Sequence, residues 1–261
     1  MTADRIYFGG PIVTVDDSRP VVEALAVGGG NILAVGQRAN VEELRGPDTE
    51  LVDLDGQTLV PGFIDGHAHF LGFGSQGVGA NLLAPPDGTV NTIDDLVGKL
   101  REFAAGPDVE QTGWVFGLGY DDSLLGRHPD REDLDRVSTE IPVIAVHISG
   151  HFSAMNTAGL AKVGYTAATP DPEGGVIRRR PDGEPNGVLE ELASIPHMLA
   201  AINPSTPEGM AYFLKRGQEL ALSYGYTTAH EGRAFGFNHD AMVSMAEQGL
   251  YVIDVVSYID Y

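Results

Sequence analysis

Residues Pro61 to His69 read Pro-Gly-Phe-Ile-Asp-Gly-His-Ala-His, and the reading of the whole chain turns on them. Phe63 and Ile64 are a short apolar run, and Gly62 to Asp65 reads as a short apolar strand. Residues two apart on extended chain point the same way. His67 and His69 therefore project together from the end of that strand, with Asp65 one step behind. Two imidazoles on one face suit a divalent metal such as zinc. An isolated His-x-His pair also arises by chance at strand edges, so the apolar strand leading into it is what gives the pair weight. The small residues Gly66, Ala68 and Gly72 leave room for backbone to approach.

Upstream of Pro61 the pattern is all β. Arg5 to Asp16 is strand-rich, and Leu25 and Val27 precede Gly28-Gly29-Gly30-Asn31, with Ile32 and Val35 beyond. Gly and Asn accept positive φ, so this predicts a hairpin. Leu51 to Leu54 and Thr58 to Val60 flank a further turn at Asp55-Gly56. The expectation for residues 1–60 is a small β-sandwich portion.

Downstream, strand-like and helix-like runs alternate. Ile93, Leu96, Val97, Leu100 and Phe103 follow helical spacing behind a capping Thr92. Helices are also predicted over Pro207–Tyr224 and Asn238–Gln248, the latter stopped by Gly249. Strands are predicted at Trp114–Leu118, Ile141–Ile148, Tyr226–Ala229 and Tyr251–Ile259. Alternation of this kind implies parallel βα units. Residues 164–186, rich in Gly, Pro and Asp, read as an inserted loop or hairpin. A closed parallel barrel needs eight strands, and four or five are counted over 61–261. The expected fold is therefore α/β, the first half of a (β/α)8 TIM-type barrel, incomplete in itself.

Composition narrows the function classes. The 261 residues carry 37 acidic and 16 basic side chains, a formal charge of −21. Such a surface repels nucleic acid and anionic membrane, so neither is an expected partner. A small-molecule substrate is expected instead, and self-association into a homo-oligomer is compatible with the sequence. With no cysteine, any metal must be held by His, carboxylate or modified Lys. No signal-peptide pattern opens the chain, and the cytoplasm is the expected compartment.

Several segments together carry a resemblance. They are Ala24–Gly36 with Val52–Gly56, the Pro61–His69 stretch, His151-Phe152-Ser153-Ala154-Met155-Asn156-Thr157-Ala158-Gly159-Leu160, Gly187–Glu191 and Gly225–Glu231. In this order they resemble the amidohydrolase superfamily, and within it the YtcJ-like amidohydrolase 3 branch that includes N-substituted formamide deformylases. Gly66 departs from the pattern, which more often has Ser there. The resemblance implies a metal-dependent hydrolase of non-peptide carbon–nitrogen bonds with one or two divalent ions, usually zinc, and His67 and His69 as its first ligands. It further implies a modified Lys, two more His and a late catalytic Asp, none of which is found in this chain, so no catalytic residue is assigned. Two rival readings stand: an inert fragment or a half that requires a second chain, and another superfamily member such as a deaminase or cyclic amidase.

Three further residues are pocket candidates. His151 lies at a strand end, and is read equally as a pocket residue or as a hydrogen-bonded loop histidine. Glu191 is a pocket carboxylate or an acid favoured by a helix start. His230, with Glu231 beside it, ends a strand where a barrel places functional groups. His147 reads as a core or loop histidine, and His128, His197 and His239 as surface residues.

Overall fold

Phe63 and Ile64 do form a short strand, but its sheet partners are not the next strands along the chain. The computed structural model describes residues 2–202 and 206–260. The chain divides into two units, Met1–Phe63 and Ile64–Tyr261.

The first unit is built on β1 (Ala3–Val13), β2 (Val21–Gly28), β3 (Asn31–Gly36) and β4 (Arg45–Asp53), in the order β3-β2-β1-β4. The β2–β3 hairpin turns at Gly29-Gly30, both at positive φ, as a two-residue turn between twisted strands requires. β4 returns parallel to β1. Ile6, Phe8, Ala24 and Ala26 alternate onto one face, with Val41 from the Arg38–Val41 turn of helix over them. Among the described residues the strands of this unit form one four-stranded sheet.

The second unit contains two open sheets. One runs β13-β12-β5, from β5 (Phe63–Ile64), β12 (Tyr226–Ala234) and β13 (Asp254–Ile259). The other comprises β6 (Ala80–Asn81), β7 (Val115–Tyr120), β8 (Val143–His147), β9 (Phe152–Met155), β10 (Gly175–Arg179) and β11 (Pro185–Glu191), in the order β10-β11-β9-β8-β7-β6. Its β6, β7 and β8 are parallel and the rest antiparallel. The Gly/Pro-rich 164–186 stretch supplies β10 and the turn into β11. No sheet among the described residues closes into a barrel.

Residues 114–118 and 141–148 therefore do not continue the sheet of β5, as the alternation suggested. The reason is visible in their packing. Val115, Val143 and Ala145 face one core with Leu96, Leu100 and Leu134, while Phe116, Ile144 and Val146 face another with Met155, Leu160 and Leu189. A strand buried on both faces is a continuous apolar run, and such a run reports burial without naming its neighbour.

Three predicted helices are present at Ile93–Ala104, Pro207–Ser223 and Gly236–Glu247. The first opens with a reciprocal cap, Thr92 accepting from the Asp95 amide and Asp95 from the Thr92 amide, two otherwise orphaned donors satisfied together. Directly after His69, helix Phe70–Gly77 packs on Pro207–Ser223 around Phe70, Leu214 and Ala221. None of the described helices is long and apolar enough to cross a membrane.

Candidate metal centre

His67 and His69 follow strand β5, past a bend at Gly66-His67, with ring centroids 5.7 Å apart. Both are exposed. What orders them comes from β12, whose sequence position lies about 160 residues away. The Asp65 carboxylate accepts from the His67 amide at 3.2 Å and from the His230 amide at 3.2 Å. The Gly232 amide donates to the Ala68 carbonyl at 2.8 Å. Asp65, the acid one step behind the pair, is thus a cross-strand brace.

Glu231 is 98% buried, at 2% exposure. Its Oε1 lies 3.3 Å from His69 Nδ1, and its Oε2 accepts from the Leu71 amide at 2.9 Å. A carboxylate accepts and does not donate, so the ring proton belongs on Nδ1 and His69 Nε2 is left with a lone pair. His230 Nδ1 lies 3.1 Å from the Gly66 carbonyl oxygen, another pure acceptor, which leaves His230 Nε2 in the same condition. The His230 ring stands edge-on to Tyr258 at 5.4 Å. The His67 and His230 amides therefore share Asp65, with His230 in the middle of β12 and not at the strand end expected of it. Among the described residues, the three histidines are not one of the clusters of possible ligand atoms within 4.8 Å of one another.

The other two pocket candidates form a separate pair. His151 Nδ1 lies 3.0 Å from Glu191 Oε2, with both side chains about half exposed. An ion pair so exposed contributes little to stability. Glu191 sits at φ +48°, a left-handed conformation that costs a non-glycine residue about 1 kcal/mol. Among the described residues no hydrogen bond or ion pair links this pair to His67, His69 or His230.

A third cluster was not foreseen. Asp121, Asp122 and His147 are the group of three possible metal ligands found among the described residues, their ligand atoms within 4.8 Å of one another. Much of this set is already occupied. Asp121 caps helix Asp122–Leu125 and accepts from the Ser123 amide and hydroxyl, which holds its carboxyl below the usual range. His147 Nδ1 bonds Ser149, and its Nε2 lies 3.0 Å from Asp122 without an aligned hydrogen bond. His147 also lines an apolar cavity of about 870 Å³ with Leu83, Leu118, Val146, Met198 and Leu220.

His128, expected at the surface, is instead packed beside this cluster at 11% side-chain exposure, with Nδ1 3.0 Å from the hydroxyl of fully buried Tyr120. His197 likewise bonds the Tyr165 hydroxyl at 2.9 Å. Nothing in the polar Arg127–Arg131 stretch signals this, because burial here is conferred by Tyr120 and Phe152 folding over the ring. Burial lowers the pKa of both histidines, with Asp122 opposing the shift at His128. A depressed pKa keeps the folded imidazole neutral while the unfolded one protonates. Stability is then complete above about pH 6.5 and lost as pH falls through the folded pKa. The urea midpoint should decline between pH 7 and pH 5, above the range of ordinary carboxylates, and His128→Gln should flatten the decline. An unchanged slope in that variant would remove His128 from the account.

The small residues near the pair also divide differently from expectation. A Cβ at Gly66 meets nothing within 4 Å, and one at Gly72 meets only ordinary contact with His69. Close approach is required instead at Gly232, where a Cβ would stand 2.7 Å from His67 Cε1 and 2.9 Å from the Ala68 carbonyl oxygen.

The described residues thus combine a mixed α/β fold with a His-x-His pair braced from a neighbouring strand. The Amidohydrolase family profile matches residues 50–260, and the chain belongs to that family, in its YtcJ-like branch. It is 32% identical over 194 residues to N-substituted formamide deformylase of Arthrobacter pascens, covering 73% of this chain and 35% of the relative. It is 32% identical over 192 residues to putative amidohydrolase YtcJ of Bacillus subtilis, covering 72% and 35%. Its fold is similar to that of an uncharacterized metal-dependent hydrolase from Pyrococcus furiosus, with TM-score 0.62 at 23% identity, covering 98% of this chain and 50% of that one. The chain thus spans about a third to a half of the length of the proteins it matches.

Proposed function

We propose that this chain carries the first metal-binding segment of a metal-dependent hydrolase acting on non-peptide carbon–nitrogen bonds, with amides and formamides of small molecules as the substrate class. The observation that supports the reading is the arrangement of His67 and His69, just beyond β5 with ring centroids 5.7 Å apart and His69 Nδ1 beside buried Glu231. Two imidazole nitrogens fit a borderline divalent ion, and zinc is the ion proposed. A catalytic zinc uses three protein donors and a water, so the pair supplies two of the three. We place the remaining donors, and the general base, outside this pair. The similarity to a formamide deformylase supports the substrate class.

A bound metal of this kind would supply a water of lowered pKa and polarise the carbonyl to be attacked. The chain's own residues do the positioning. Asp65 and Gly232 tie β5 to β12, Glu231 orients His69, and Gly66 and Ala68 offer no side chain that would fill the space over the pair. We read β13-β12-β5 as part of a (β/α)8 barrel, with the six-stranded sheet an insertion between β5 and β12. The acidic surface fits a small neutral or cationic substrate and a non-membrane, cytoplasmic setting.

The test is metal content. Metal-free protein titrated with zinc or cobalt should bind through the pair, and His67→Ala and His69→Ala should each weaken binding by more than about a hundredfold, beyond the ten- to hundredfold that an outer hydrogen-bond partner contributes. Equal metal content in wild type and both variants would refute the assignment.

A further inference from the structure

We infer that Glu231 is a positioning residue for His69: it fixes that imidazole as the Nδ1–H tautomer, so that Nε2 is the nitrogen presented outward, and Gly232 beside it provides the slot in which the His67 ring lies. The inference rests on the metal-site reading above for its purpose, but not for its geometry.

Three contacts converge on the one buried carboxylate. His69 Nδ1 is at 3.3 Å, the Leu71 amide at 2.9 Å and the Arg233 amide at 3.3 Å. The two amides can only donate, so the carboxylate is committed as acceptor, and the imidazole completes the set by donating as well. The Leu71 bond matters separately. It pins the first turn of helix Phe70–Gly77 to β12, and so fixes the backbone on the far side of His69. An isolated antiparallel bridge pairs His69 with Glu231 directly. One side chain thereby sets both the ring's tautomer and the direction in which the chain leaves it.

Gly232 acts on the other ring. Its missing Cβ would lie 2.7 Å from His67 Cε1 and 3.1 Å from His67 Nδ1, with the Ala68 carbonyl at 2.9 Å blocking retreat. Any side chain there would turn the His67 imidazole out of its place. Glu231 and Gly232, adjacent on β12, thus shape one histidine each. A carboxylate behind a metal-facing histidine fixes ring orientation and raises its basicity. Here that support comes from a strand the sequence separates from the pair by about 160 residues.

The experiment is long-range ¹⁵N–¹H correlation on the metal-free protein at pH 8, where an ordinary imidazole is neutral, followed by zinc titration. Wild-type His69 should show the Nδ1–H tautomer. Glu231→Leu should convert it to the commoner Nε2–H form or a mixture and weaken zinc ten- to hundredfold. Glu231→Gln, whose carbonyl still accepts, should retain the tautomer and recover most of the affinity. Gly232→Ala should leave the His69 tautomer intact, shift the His67 signals and weaken zinc. An Nε2–H tautomer for His69 in the wild type overturns the inference, and that measurement needs no variant to fold. A His69 tautomer unmoved in folded Glu231→Leu overturns it equally. If the tautomer behaves as expected while the wild type binds no zinc, the positioning inference is upheld and the metal-site reading fails.

Discussion

Asn156→Ala should lower the stability of the second unit by roughly 3–5 kcal/mol, a large part of what holds an ordinary domain together. The side chain is fully buried and every polar position on it is used. Its Oδ1 accepts from the Val143 amide at 2.9 Å and the Gly159 amide at 2.7 Å. Its Nδ2 donates to the Ser138 carbonyl at 2.7 Å and the Ile141 carbonyl at 2.9 Å. Four bonds are the full capacity of an asparagine. One of them caps helix Thr157–Val163, and a lost cap alone costs about 1 kcal/mol. The others leave buried backbone groups without partners, at about 1–3 kcal/mol each unless water enters. Thermal unfolding should fall by on the order of 10 °C. Asn156→Asp should be no better, since an ionised carboxylate would face two carbonyl oxygens. A loss below about 1 kcal/mol in the alanine variant would mean that the network is replaced by water at little cost. The segment His151–Leu160 carried part of the family resemblance, and its asparagine is accounted for by this structural network.

Gly217→Ala should destabilise the protein by about 2 kcal/mol or more, against the direction of helix propensity. In the interior of an exposed helix this substitution stabilises by about 1 kcal/mol. Gly217 lies in Pro207–Ser223 where that helix crosses Phe70–Gly77. A Cβ there would stand 2.8 Å from the Gly74 amide nitrogen and 3.1 Å from the Phe73 carbonyl carbon. Across the same crossing, a Cβ at Gly77 would stand 2.6 Å from the Arg216 carbonyl oxygen. These obstacles are backbone, so no rotamer change relieves them and the helices must separate. Because Phe70–Gly77 begins at the residue after His69, separation would also disturb the histidine pair and weaken zinc binding. Gly98→Ala is the control. Gly98 is an exposed residue of helix Ile93–Ala104 with nothing within 4 Å of its Cβ position, and it should stabilise by about 0.5–1 kcal/mol. Urea midpoints of the two variants should move in opposite directions. Movement in the same direction would mean that the crossing relaxes freely.

Much of this was legible from residue order. The hairpin at Gly29-Gly30 follows from glycine's access to positive φ, and the start of helix Ile93–Ala104 from the Thr92 cap. Each is a local rule, satisfied within a few residues. The pairing of His151 with Glu191 was not local, and the sequence offered them only as separate candidates. Their separation from the histidine pair was hidden in the same way. The burial of His128 was missed because its neighbours Arg127, Asp130 and Arg131 are polar, while the residue that buries it, Tyr120, belongs to the preceding strand.

The sequence by itself determined the family, the β-rich start and the principal helices. Tertiary structure alone decided that β5 pairs with β12 rather than with a strand nearer in the chain, that Glu231 stands behind His69, and that Gly232, Gly77 and Gly217 are among the glycines with no room for a side chain. Apolar periodicity states which face of an element is buried, and capping states where it begins. Neither carries information about which distant element supplies the burial, because the hydrophobic effect that drives it is non-directional.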